Sequence, residues 1–190
     1  TTKMFVAALI GRLMERGQLS YDDTIDKWFP DLPAARTITI RELLNQNSGI
    51  KENLFTNPVI LVTSVLSAGK QWDARAVVHD IMGNMKVAPV GRRSFVYANN
   101  NYLLLGLIAE QVGHDKLARQ LEREFFGPLG MRHTYFLPGD RHVPDGLIDG
   151  YDEYIPFGPH DIAPANTAWS SLAFAAGAMA STSEDLLIWL

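Results

Sequence analysis

The chain has no cysteine among its 190 residues. That excludes disulfides, thiolate zinc sites and a cysteine nucleophile, although it does not fix the compartment. Its histidines, His79, His114, His133, His142 and His160, lack the paired spacing of a metal site, so neither a metal nor another cofactor is expected. No G-x-S-x-G elbow occurs, no apolar run reaches transmembrane length, and there is no internal repeat or low-complexity tract. Positive charge is also short: 17 Lys and Arg stand against 21 Asp and Glu, a net charge of −4 with no basic stripe. A nucleic-acid partner has no electrostatic footprint here, and a small or neutral substrate fits better. What remains is ordinary globular composition, 47% hydrophobic and 20% charged, enough for a sizeable core in one domain.

The apolar spacing and caps predict mainly helices. The first should run to about Arg16 with Gly17 as its left-handed stop. Ser20 and Asp23 form a capping pattern ahead of Ile25, Trp28 and Phe29. Thr39 and Glu42 mark a further start that ends at Asn47-Ser48-Gly49. A weaker segment spans Asn57 to Leu66, and an amphipathic one spans Trp72 to Met82 with Gly83 as its stop. Arg93 to Tyr97 reads as a short extended piece leading through a loop into a core helix, Asn101 to Val112. Leu117 to Phe126 follows, broken by Gly127-Pro128-Leu129-Gly130. Residues 137 to 168, rich in Pro, Gly and Asp, suggest an irregular surface segment beside a cleft. Ser181-Thr182-Ser183-Glu184 reads as a capping box for a last helix.

Three residues carry candidate chemistry. Lys3 precedes the apolar run Met4-Phe5-Val6-Ala7-Ala8-Leu9-Ile10 at the start of a buried helix. Desolvation and the positive end of the helix dipole both favour its neutral amine, a proton acceptor. Tyr97-Ala98-Asn99 lies just before another buried helix. A phenol beside an ammonium can pass protons, and an asparagine can donate to a substrate carbonyl while its oxygen holds the lysine. Each is ordinary alone, since a lysine in a first turn is commonly solvated and a tyrosine ending a strand is usually core. Together they can converge on one cleft. Ser67-Ala68-Gly69-Lys70 sets a hydroxyl and an amine three residues apart, but Gly69 disfavours a helix there. Ser48 reads as a helix stop, and His160-Asp161 lacks a partner serine.

These residues resemble the class C serine β-lactamases and penicillin-binding proteins, with the D-stereospecific peptidases and family VIII esterases. Thr1-Thr2-Lys3-Met4-Phe5 is similar to the last three positions of that family's Ser-x-x-Lys motif and their continuation, and Phe95-Val96-Tyr97-Ala98-Asn99 to its second motif. Gly17 to Asp23, Ile38 to Leu44, Asn47 to Ile50, Tyr102 to Ile108, Pro128 to Met131 and Ala180 to Leu186 follow in the family's order.

The resemblance implies an α+β fold, an antiparallel sheet flanked by helices, of which these residues form mainly the helical part. It implies a serine directly before Thr1 as nucleophile and Lys3 as its base. Tyr97 would share proton transfer to the leaving group, and Asn99 would bind the acyl amide and steady Lys3. The reaction is acyl transfer through an acyl-enzyme on a β-lactam, D-alanyl peptide or ester. The family's third motif, Lys/His-Thr/Ser-Gly or Trp-Gly-Gly, does not occur before Leu190. Both ends fall inside predicted helices, so residues 1–190 are expected to be a partial domain of a longer protein, inactive alone and exposing apolar surface. A chemically modified serine, a true catalytic loss leaving a binding or regulatory domain, and Thr1 as an amino-terminal nucleophile are the alternatives. Peptidase and lactamase relatives imply a place outside the cytoplasm; esterase relatives can be cytoplasmic.

Overall fold

The computed structural model of the chain describes residues 1–67, 69–83, 85–138, 148, 151–152, 160–161 and 166–190. The first helix, α1 (Thr2–Glu15), buries Phe5, Leu9 and Leu13 at four-residue spacing together with Val6 and Ile10. It closes as a Schellman turn: Gly17 at φ +69° donates to Met14 O and Gln18 N–H to Leu13 O. Short elements follow, namely 3-10 turns Ile25–Lys27 and Ala35–Thr37, then α2 (Ile40–Leu44), α3 (Pro58–Leu66) and α4 (Ala74–Val77). The core helix α5 (Asn99–Val112) buries every residue from Asn100 to Ala109 and packs against α1. Beyond it come α6 (Leu117–Leu121), a π turn Glu122–Phe126 and α7 (Gly127–Leu129). Antiparallel pairs join β1 (Tyr135–Phe136) to β4 (Met179–Ala180) and β2 (Tyr151–Asp152) to β3 (His160–Asp161). Between β3 and β4 lie α8 (Asn166–Ala173) and a 3-10 turn Phe174–Ala176, and α9 (Ser183–Trp189) follows β4.

Two close approaches set the middle of the fold. A Cβ on Gly106 would meet Ala175 Cβ at 2.2 Å, so only glycine lets α5 and the turn Phe174–Ala176 touch. At the other end of α5, Gly49 has φ +78° and a Cβ there would meet Arg93 Cγ at 2.9 Å. Arg93, its side chain 6% exposed, bonds both Glu42 oxygens, Thr37 O and Ala88 O, tying three loops together just ahead of Tyr97. Glu42 also completes the expected capping box with Thr39.

Several local expectations change. Asn99 is the first residue of α5, not part of a loop, because the helix begins two residues earlier than its apolar run. Arg93 to Tyr97 forms no strand ladder among the described residues; Val96 N–H bonds Gln46 O at 2.9 Å. The pattern at Ser20 and Asp23 is a side-chain bond to Ser20 N–H, followed by a single 3-10 turn. The segment from Trp72 condenses to α4, capped by Asp73, and a π turn Val78–Met82, and Gly83 stays right-handed at φ −54°. Gly127-Pro128-Leu129 continues the helical run, since a proline in a first turn forfeits no bond, and Gly130 at φ +69° ends it. Thr182, rather than Ser181, caps α9 by accepting from Asp185 N–H. His142, most of residues 137–168 and the side chains of His160 and Asp161 lie outside the described residues. Large apolar side chains do stand exposed, among them Val59, Val62 and Leu66 on α3 and Leu187 and Ile188 on α9. Among the described residues no helix is long and apolar enough to cross a membrane, and no cluster of metal-ligating side chains occurs.

Candidate active site

The three residues singled out in the sequence meet. Lys3, in the first turn of α1, donates through Nζ to Asn99 Oδ1 at 2.8 Å, across 96 positions of sequence. A second bond runs from Nζ to Ala176 O at 2.5 Å. The amine lies over the Tyr97 ring, 4.9 Å from its centroid, and 5.7 Å from that of Tyr102. It is half-buried, and among the described residues no carboxylate pairs with it. The contact with Tyr97 is to the ring face, and the phenol of Tyr97 is more than half exposed on the open side. Tyr102 stands behind: its hydroxyl donates to Leu44 O at 3.3 Å. Burial, helped by the neighbouring Tyr97, pushes the Tyr102 phenol above its ordinary value and keeps it protonated.

The supporting frame was not anticipated from the sequence. Three consecutive asparagines open α5, each tied to the segment 46–53. Asn99 N–H donates to Glu52 Oε2 at 2.6 Å, and Glu52 Oε1 also accepts from Leu54 and Phe55 N–H. Asn100 exchanges two bonds with Asn53. Asn101 donates to Gln46 Oε1 and accepts from Ser48 Oγ at 2.6 Å. Ser48 is therefore a buried structural hydroxyl rather than only a helix stop. The run Asn99-Asn100-Asn101 was the available signal, because amides at a helix start, where backbone N–H groups lack partners, seek loop partners. A carboxylate at that position, Glu52, also suits the helix dipole.

The other candidates stay apart. Thr1 is exposed and its side chain bonds neither Lys3 nor Tyr97. Ser67 ends α3 as its C-cap, and Lys70 lies over the Trp72 ring at 3.9 Å, so that pair stands outside the cluster; Ala68 lies outside the described residues. His79 pairs with Asp80 at the surface. A surface groove lined by Arg119, Glu122, Arg132 and Tyr135 includes none of Lys3, Tyr97 and Asn99. The cluster is instead an open corner between α1, α5 and the turn Phe174–Ala176.

A profile of the Beta-lactamase family matches residues 1–190. Among curated proteins the chain is 33% identical over 140 residues to protein flp of Staphylococcus aureus strain NCTC 8325, covering 71% of this chain and 26% of that protein. It is 30% identical over 160 residues to penicillin-binding protein 4* of Bacillus subtilis, covering 79% and 32%. A crystal structure of a D-stereospecific amidohydrolase from Streptomyces superposes with a TM-score of 0.84 at 27% identity, covering 98% of this chain and 57% of that one. The chain thus spans about a quarter to a third of the length of these curated relatives.

Proposed function

The chain belongs to the Beta-lactamase family, and from that premise we propose that the whole protein is a serine acyl hydrolase, residues 1–190 being the helical part of its catalytic domain. The observation that carries this reading is the bond from Lys3 Nζ to Asn99 Oδ1 beneath the Tyr97 ring. Lys3 Nζ donates to Asn99 Oδ1 and Ala176 O, and its remaining tetrahedral position is the one a hydroxyl one helical turn earlier would meet. The nucleophile in this proposal is a serine directly before Thr1.

Lys3 takes the serine proton as the oxygen attacks the acyl carbonyl, forming a C–O bond and an oxyanion held by backbone N–H groups. The carbon–nitrogen or carbon–oxygen bond to the leaving group then breaks, and that group departs with a proton delivered through Tyr97. Water, deprotonated by the same groups, hydrolyses the acyl-enzyme and restores the serine. Asn99 Nδ2, which has no partner among the described residues, is free to donate to the acyl amide of the substrate. The Streptomyces neighbour, described as a D-stereospecific amidohydrolase, supports a D-configured amide as substrate ahead of a β-lactam or simple ester.

The test is turnover by the full-length protein of three acyl donors: a D-amino acid amide, a chromogenic cephalosporin and an activated phenyl ester. Hydrolysis of at least one, with the D-amide cleaved in preference to its L-enantiomer, is expected. A folded protein inert to all three would instead be a binding or regulatory member of the family.

A further inference from the structure

Tyr97 presents a difficulty that packing alone does not solve. Its side chain is 54% exposed, and Phe95 and Val96 before it are exposed as well, so buried contacts do not fix where the phenol points. The segment carrying it pairs with no strand among the described residues. Its backbone is nevertheless held on both sides, and by one residue. Gln46 accepts from Val96 N–H through its main-chain oxygen at 2.9 Å, and from Ala98 N–H through its side-chain Oε1 at 3.0 Å.

Gln46 is itself enclosed. It is 6% exposed, sits in the left-handed region at φ +59°, and takes a further bond on Oε1 from Asn101 Nδ2 at 2.5 Å. Asn101 is held in turn by Ser48 Oγ at 2.6 Å. The Gln46 Nε2 atom, by contrast, is buried and has no partner among the described residues. A buried amide donor left unpaired costs free energy, and that cost is tolerated at a position whose oxygen is doing all the bonding.

We infer that Gln46 is the positioning residue for Tyr97: a single acceptor residue clamps the peptide groups either side of the tyrosine and so holds the phenol over the Lys3 amine. The inference rests on the proposed function, in which Tyr97 delivers the leaving group's proton. A leaving group that needs that proton, such as an amine expelled from an amide, should feel a displaced phenol. An activated phenolate, stable without protonation, should not.

The experiment compares an amide and an activated phenyl ester of the same acyl group in the full-length protein. Gln46→Met keeps the side-chain length and removes Oε1, the acceptor for Ala98 N–H and Asn101 Nδ2, while the main-chain bond to Val96 N–H remains. It is expected to lower kcat on the amide by about tenfold or more while the ester falls far less, a separation on the order of the proton-transfer effect itself. Tyr97→Phe should separate the two substrates in the same direction, and Gln46→Met added to Tyr97→Phe should produce no further separation, since both changes remove one function. Gln46→Glu retains oxygen acceptors and should keep the wild-type amide-to-ester ratio, so it decides the matter if Gln46→Met does not fold. Equal losses on both substrates, independent multiplication of the two variants' effects, or a shifted ratio in Gln46→Glu would overturn the assignment. If Tyr97→Phe leaves the ratio unchanged, it is the proposed role of Tyr97 that fails.

Discussion

Full-length protein carrying Lys3→Met is expected to form its acyl-enzyme about 10²- to 10⁴-fold more slowly than the wild type, the range removed with a positioned general base. Methionine reproduces the unbranched stem of lysine up to Cε and lacks only the terminal amine, so α1 keeps its packing. What disappears is the amine that bonds Asn99 Oδ1 and Ala176 O and that lies over Tyr97. Those two acceptors lose a donor in a half-exposed corner where water can replace it, so the stability change should be on the order of 1 kcal/mol. Stopped-flow acylation with an activated ester reads the rate, and thermal unfolding reads the fold. A Lys3→Met protein that acylates at the wild-type rate would remove the amine from the chemistry.

The opposite separation is expected at Phe5, two residues along the same helix. Its ring is fully buried, 5.5 Å from the Phe126 ring at an edge-to-face angle of 78°, 4.2 Å from Trp189 and 6.2 Å from Phe125. Phe5→Ala leaves a cavity where α1, the π turn Glu122–Phe126 and α9 meet, and is expected to cost about 3–5 kcal/mol of stability. At a few degrees per kcal/mol, that corresponds to a fall in Tm on the order of 10 °C. Because Lys3 is held by Asn99 and Ala176 rather than by this cluster, acylation measured well below the transition should change little. A loss confined to activity, with no loss of Tm, would mean that the aromatic cluster does not anchor α1.

How much of this was legible in the sequence follows from what each signal depends on. The apolar spacing of α1 and the Thr39–Glu42 box are local, and both formed as expected. The convergence of Lys3, Tyr97 and Asn99 was suggested by residue types beside two buried helices, and the fold brings them together. Ala176 was invisible, because it contributes a backbone oxygen and any residue has one. Gln46 and Glu52 were missed for a related reason. An acceptor for a main-chain N–H has no spacing rule, and only the packing of segment 46–53 against α5 reveals it. The π turns after α4 and α6 were likewise hidden, since each is a single five-residue turn, too short for its wider spacing to stand out from the helical pattern around it. Asn99 was placed one element too early because its polarity, read locally, looks like loop, while tertiary bonds make the run of asparagines the first turn of a helix.

The central proposal is that the amine of Lys3 serves a serine one turn before it. Mass spectrometry of the full-length protein trapped with a fluorescent penicillin or an activated ester tests it most directly. The expected result is one covalent acyl group, mapped to a serine directly preceding Thr1 and absent from Lys3→Met. An adduct on any other residue, or a residue other than serine at that position, would contradict it.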